Sequence, residues 1–381
     1  MNISKLIELV PGEEEIKNIK SKHRRISAYV EAARCLTILK DKGAEKFIGI
    51  SLTAVDELPE REINKRPVYY ARSAESYSII GSEKTIPAVE DAVSEIMKIK
   101  PASSVHNYDK IILPIARAGV NTGDIKIVDT ARKLCDRIHG TDHIIPALCG
   151  LAECYAYLGK TKKAMELADT AMNEVSEEHS HEEGLLVYFT GIVGDAVIKV
   201  GEINNSTEII MNAINLIEIV DIHDKLTQLR SIRIFFPAIN ALIKITGVHE
   251  LEILINLYRN PKDNHINDNR EMIECDITGL YAFDITLNEA RMLYLIGEKE
   301  KAIELLKLME EYLFGEEWEI YLNRNAMVAE MALLWENMNK EKTREIINKI
   351  YNELKDMDAD YRVGALSEIL SSIQKPKLNQ N

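Results

Sequence analysis

The sequence predicts an all-α fold, an α-solenoid of about eight antiparallel helix hairpins with a C-terminal capping helix, and three observations predict it. The first is a recurring pair, a small residue followed by a charged one, seven positions ahead of a glycine. It reads Ala74-Glu75 before Gly81, Ala116-Arg117 before Gly123, Ala152-Glu153 before Gly159, Gly194-Asp195 before Gly201 and Ala290-Arg291 before Gly297. Self-similarity at a period of about 40 residues marks a stacked helical repeat, in which each unit buries its apolar face only against its neighbours. The second is composition: 46% of the 381 residues are hydrophobic but only 6% aromatic, with 18 glycines and 10 prolines. The apolar content is therefore mostly Ala, Ile, Leu and Val, which suits helices. The third is apolar spacing of three and four in paired stripes, each pair divided by a short turn.

At the N-terminus, MNISKLIELVPGEEE carries an apolar run that Glu8 interrupts, with glutamates where a signal peptide would need a small-residue cleavage site. Glu13-Glu14-Glu15 followed by Lys17, Lys20, Lys22, His23, Arg24 and Arg25 puts acids at the start and bases at the end of a helical stretch, as the helix dipole favours. That reads as a solvated face; the alternative is a phosphate-binding patch.

The small position is filled in chain order by Ala33, Ala74, Ala116, Ala152, Gly194, Asn240, Ala290 and Met331, so Asn240 and Met331 depart from the pattern. The clearest hairpin is His143 to Val175. Its first helix carries Leu148, Leu151, Ala152, Tyr155 and Leu158, Gly159 supplies the positive φ that ends a helix cheaply, and Ala164, Leu167, Ala168 and Ala171 form the second stripe. So short a connection makes the two helices antiparallel neighbours. Ile232-Arg233-Ile234-Phe235-Phe236 has the aromatic spacing of clamp-docking peptides, but Leu229 stands where glutamine belongs, so the phenylalanines read as core. A long polar break, Pro261 to Arg270, interrupts the array. The last helix, around Asp360-Tyr361-Arg362-Val363-Gly364-Ala365-Leu366, repeats the opening His23-Arg24-Arg25-Ile26-Ser27-Ala28-Tyr29 and reads as a cap on the last hairpin. One domain over 1–374 and a disordered tail over 375–381 follow. An open array of this kind predicts few contacts between segments 1–100 and 280–381.

The hairpin from His143 to Val175 resembles the tetratricopeptide repeat family. The family's leucine, small residue, aromatic, glycine, alanine and alanine are matched by Leu151, Ala152, Tyr155, Gly159, Ala164 and Ala171, and a second unit keeps Ala290, Gly297 and Ala302. Turn glycines at 81, 123, 159, 201, 247 and 297 keep no strict 34-residue period, so the resemblance is to a divergent member. It implies that the residue after the small position lies on an inner helix facing a concave groove. Here that column runs Arg34, Glu75, Arg117, Glu153, Asp195, Ala241, Arg291 and Ala332. One reading is a ladder of salt bridges between repeats, each contributing ~0–1 kcal/mol where exposed. The other is a polar groove that recognises a protein or peptide segment, with Tyr70, Tyr77, Tyr157 and Tyr294 as anchors and Tyr77 the best candidate for core instead.

Function classes narrow accordingly. Asp and Glu exceed Lys and Arg by 61 to 47, a formal charge of −14, which argues against a general nucleic-acid binder. No stretch approaches the length of a membrane span. The five cysteines, at 35, 135, 149, 154 and 275, have no CxxC spacing and suit a reducing cytoplasm. No P-loop, GxGxxG, GxSxG or HExxH motif is present, so no cofactor is expected. The expectation is a non-enzymatic, cytoplasmic interaction scaffold or regulator. The alternatives are a peptide-sensing repeat domain and a helical metalloenzyme using the 177–183 loop, where Glu178, His179, His181, Glu182 and Glu183 crowd together. The ExxH pair there lacks the second copy a di-iron bundle needs.

Overall fold

The structure is a computed structural model, which describes residues 4–58, 65–99, 109–138, 140–179, 183–219, 225–247, 270, 282–315 and 324–373. These residues are helical, with no strand among them, and helices adjacent in sequence pack in pairs in the manner of an α-solenoid. Packing divides the chain into two compact units, Met1–Leu158 with Ala332–Asn381, and Gly159–Met331.

The first unit opens with a 3₁₀ turn, Ser4–Leu9, and a short α1 (Glu13–Lys17). Hairpins then follow: α2 (Lys22–Ile38) with α3 (Ala44–Asp56), α4 (Arg66–Ile79) with α5 (Thr85–Lys98), and α6 (Asp109–Thr122) with α7 (Ile125–Leu134), leading into α8 (Thr141–Tyr157). Helices α2, α4, α6 and α8 pack in succession as an inner layer, and α3, α5 and α7 cover them from outside. Local chemistry sets the helix starts. The Ser21 hydroxyl accepts from the Arg24 amide at 3.4 Å, the Asp124 carboxylate accepts from the Lys126 amide at 2.9 Å, and Pro67 occupies the first turn of α4, where an amide would be unpaired anyway.

The turns share one closure. At Gly81 (φ 69°) the Ser82 amide bonds the Tyr77 carbonyl at 2.9 Å, and at Gly123 (φ 70°) the Asp124 amide bonds Gly119 at 2.8 Å, the six-to-one bond of a Schellman cap. The first hairpin closes the same way without glycine, through Lys40 at φ 57°.

The second unit holds α9 (Thr161–His179), α10 (Glu183–Asn204), α11 (Thr207–Ile219), α12 (Lys225–Thr246), α13 (Ala282–Leu295) and α14 (Lys299–Leu313). Here α10, α12 and α13 pack in succession, with α9 and α11 against them. The turn predicted at Gly201 is corrected: α10 continues to Asn204, and Asn205 adopts the left-handed conformation (φ 52°). Gly201 is needed for closeness instead, because a Cβ there would lie 2.5 Å from Cγ1 of Ile210 on α11. The long break from Pro261, Arg270 excepted, lies outside the described residues.

The predicted small column is buried throughout. Ala33, Ala74, Ala116, Ala152, Gly194 and Ala290 are all enclosed, and so are Asn240 and Met331, the two departures from the pattern. Small residues there let helix axes approach to roughly 8 Å. Asn240 is tolerated because its amide donates to the Asn288 carbonyl at 3.0 Å. Both phenylalanines of the 232–236 segment contribute to packing: Phe236 is buried, with the half-buried Phe235 edge-on to it.

The expected separation of the chain ends is corrected. The first unit also contains α16 (Lys340–Lys355) and α17 (Ala359–Ile373), preceded by α15 (Arg324–Met338), whose last part, from Ala332, belongs to it. Helix α17 packs chiefly on α2, at the opposite end of the sequence, and only lightly on its own neighbour α16. The two segments that repeat each other in sequence are thus each other's partners, and α17 extends the inner layer ahead of α2. The terminal helix covers the first hairpin as well as meeting the last. The tail, 375–381, lies outside the described residues.

Candidate functional site

The charged column lies on the inner helices, and the structure resolves it rung by rung. On α4, Glu75 is only 8% exposed, and its carboxylate meets the Arg117 guanidinium of α6 at 3.6 Å. Arg117 is different in kind: 51% of its side chain still reaches solvent. Desolvation by surrounding protein opposes its charge, but the Glu75 carboxylate, the Cys154 thiol and the Glu153 carboxylate together hold its pKa above the ordinary value. The guanidinium is thus paired on one side and open to solvent on the other. Glu153 on α8 is half-buried and contributes to that field, but the ion-pair partner of Arg117 is Glu75.

Arg34 on α2 is half-buried and makes no ion pair among the described residues. One turn before it, Glu31 bonds Arg72 of α4 through one carboxylate oxygen and accepts from the Ser367 hydroxyl of α17 at 2.6 Å through the other. In the second unit Asp195 is half-buried on α10. Arg291 on α13 bonds Asn288 Oδ1 at 2.9 Å and reaches Glu330 of α15 at 3.5 Å. Ala241 and Ala332 are fully enclosed, so two positions of the column face the core.

The tyrosines divide. Tyr77 is core, 2% exposed. Tyr70 as a groove anchor is corrected: the ring is buried and its hydroxyl donates to Asp56 at the end of α3, away from the inner face. Burial, and then the Asp56 carboxylate, push its pKa up. Tyr155 repeats the device, donating to Asp129 on α7 at 2.6 Å. Tyr157 and Tyr294 are half-buried and remain beside the column.

Sequence reasoning missed these Tyr–Asp bonds and the polar rungs Glu31–Arg72 and Ser78–Asn121. One signal was available. Hydrogen-bonded ion pairs between hairpins, Arg72–Glu31, Lys84–Glu45, Lys244–Glu202, Arg270–Glu311 and Arg291–Glu330, span 39 to 42 residues. Opposite charges one repeat apart are the ladder written in the sequence. It coexists with the solvent-open side of Arg117.

The basic stretch near the N-terminus is occupied by internal partners. Lys17 pairs with Glu13 and Glu14, Lys22 with Glu57, Arg24 with Asp360, and His23 Nδ1 lies 3.0 Å from the Tyr69 hydroxyl. Cys35, Cys135, Cys149 and Cys154 are buried, and burial pushes the Cys135 and Cys154 thiols up to about 12, away from nucleophilic reactivity. Cys275 and the core of the His/Glu loop, 180–182 with the side chains of Glu178, His179 and Glu183, lie outside the described residues. Among the described residues no group of His, Cys, Asp and Glu could hold a metal ion, and no helix is long and apolar enough to cross a membrane.

No protein-family model and no curated protein sequence matches the chain. Among solved structures it is similar to the crystal structure of Ton1535 from Thermococcus onnurineus NA1, at 13% identity, over 97% of this chain and 99% of that one, with a TM-score of 0.35.

Proposed function

We propose that this chain is a tetratricopeptide-like, non-enzymatic, cytoplasmic interaction scaffold that binds a protein or peptide segment along its inner helices. One observation carries the reading: Arg117 keeps half of its side chain open to solvent while a buried carboxylate, Glu75, holds it in place. A solvent-facing charge held beside a buried carboxylate is suited to recognition, since the ion pair limits its orientations before any ligand arrives. Arg34, Glu153, Asp195 and Arg291 extend the polar surface in each unit, and Tyr157 and Tyr294 supply apolar area beside it.

The test follows from the true ion pair. Exchanging its members, Glu75→Arg with Arg117→Glu, rebuilds the bridge but reverses the charge presented at the solvent-facing position. Protein partners are recovered with the wild-type chain from the native host, and affinity is then measured for both forms. The proposal expects an unchanged melting temperature and at least a tenfold loss of affinity, a ~1.4 kcal/mol effect. Equal affinity at equal stability would remove the inner column from recognition and leave it as a ladder.

A further inference from the structure

We propose that the seam between α2 and α17 is exchangeable between copies, so that the C-terminal helix of one chain docks on the first hairpin of another. The seam has the make-up of a protein–protein interface within one chain. Its apolar side is Val363, Leu366, Ile369 and Leu370 of α17, all buried, and the Cys35 thiol of α2 lies 3.9 Å from the Val363 carbonyl. Around this run directional contacts: Arg24 bonds Asp360 and lies 4.7 Å from the Tyr361 ring centre, Ser367 donates to Glu31 at 2.6 Å, and Arg362 donates to the Leu9 carbonyl at 3.0 Å and to Glu15. None of these bonds requires both partners to belong to one chain, because the residues they join lie 336 to 353 positions apart.

The attachment on the other side is slight. Asp356, Met357 and Asp358 alone separate α16 from α17, yet the two helices share little surface. Helix α17 is therefore held mainly by a distant part of the sequence, through a short connector. Such a helix can change partners at the cost of one interface, which an identical copy restores apart from the bonds by which α16 meets the same N-terminal turn, Lys5 to Asn348 and Tyr351 to Glu8. The two faces differ, so the contact is heterologous. Two chains can exchange helices reciprocally, or each can pass its helix to the next. Within one chain the ends are held at high effective concentration, so exchange rises with protein concentration and with warming that opens the seam.

Full-length chains with split reactivity test this. A donor carries Cys35→Ser and Val363→Cys; the acceptor is the wild-type chain, isotopically labelled, with Cys35 and Val363. Neither can join positions 35 and 363 within itself. A third chain, with Val363→Cys and native Cys35, reports the closure within one copy. Donor and acceptor are mixed over a concentration series reaching roughly 1 mM, warmed to just below melting, cooled and oxidised. Peptide mass spectrometry identifies the link, and light scattering of untreated-sequence chains put through the same cycle gives the mass independently of any substitution.

The expected result is a monomeric intrachain disulfide in the third chain, a donor–acceptor disulfide between positions 35 and 363 that grows with concentration, and a matching dimer fraction in the wild type. Intrachain closure with no donor–acceptor product and no wild-type dimer would overturn exchange. Failure of the third chain to close would overturn the seam itself, and a wild-type dimer whose donor–acceptor mixture lacks the 35–363 link would assign association to another surface.

Discussion

Gly194 offers the sharpest measurement of how closely these helices approach. A Cβ built there would lie 2.7 Å from Cδ1, 2.8 Å from Cγ1 and 3.3 Å from Cγ2 of Ile234, which is 3% exposed on α12. Carbon contacts are most favourable at about 3.5–4.0 Å, so Gly194→Ala must push α10 and α12 apart by several tenths of an ångström. Overpacking of this kind costs roughly 1–3 kcal/mol. Replacing glycine by alanine inside a helix returns about 1 kcal/mol, which leaves a net loss of about 1 kcal/mol. In an Ile234→Ala background the obstructing atoms are gone, and the same Gly194→Ala change should then stabilise by about 1 kcal/mol. The sign reverses, with a coupling energy of about 2 kcal/mol. Thermal unfolding followed by circular dichroism resolves this, since a unit of this size shifts by about 2–4 °C per kcal/mol. A Gly194→Ala effect of the same sign and size in both backgrounds would refute the close approach as its cause.

Two more substitutions probe other parts of the fold. Gly364 lies inside α17 with open space where a Cβ would go, so Gly364→Ala should raise the melting temperature, by an amount worth about 0.5–1 kcal/mol; a lower value would mean the seam crowds that side of the helix. Desolvation, then the neighbouring carboxylates Asp56, Glu90 and Glu95, raise the pKa of Asp91 on α5. A carboxyl whose folded pKa is raised loses stability as pH climbs from its unfolded value through its folded one, because the unfolded chain releases the proton first. Asp91→Asn should therefore be more stable than wild type at pH 7, with the advantage shrinking as pH falls through the raised folded pKa, nearly gone below about 4, and smaller as salt is added; an advantage that persists at pH 3 would contradict the assignment.

Much of the fold is legible in the chain because it rests on residues whose physical role is local or periodic. Ala74, Ala116, Ala152 and Ala290 stand out because each is fully buried on an inner helix, where a small side chain lets a neighbouring helix approach. Gly81, Gly123 and Gly297 mark turns because a positive φ is strained for other residues. Lys40 and Asn205 escape the same reasoning, since they accept that strain where the cap is closed by backbone bonds in any case. The charged column was legible as a register, but not its partners. Whether Arg117 meets Glu75 or Glu153 depends on the rise between neighbouring inner helices, which no single repeat encodes. Tyr70 was misplaced for a related reason: an aromatic on an inner helix can turn outward, and Asp56 at the end of the preceding helix draws it there. The partnership of α17 and α2 is a property of many repeats together, and the likeness of the two segments was its only trace.

That partnership also sets a timetable for synthesis. The surface of α2 that receives α17 leaves the ribosome well before the helix that covers it, 336 residues earlier as measured from Arg24 to Asp360. At translation rates of about 5–20 residues per second, the N-terminal hairpin waits roughly 17 to 70 s with Arg24, Glu31 and Cys35 without their α17 partners. Every nascent chain passes through that interval, and neighbouring chains on one message pass through it side by side. The α2 surface thus depends on the pace of everything between the two helices, and a synonymous slowing of translation anywhere in that stretch would lengthen its exposure.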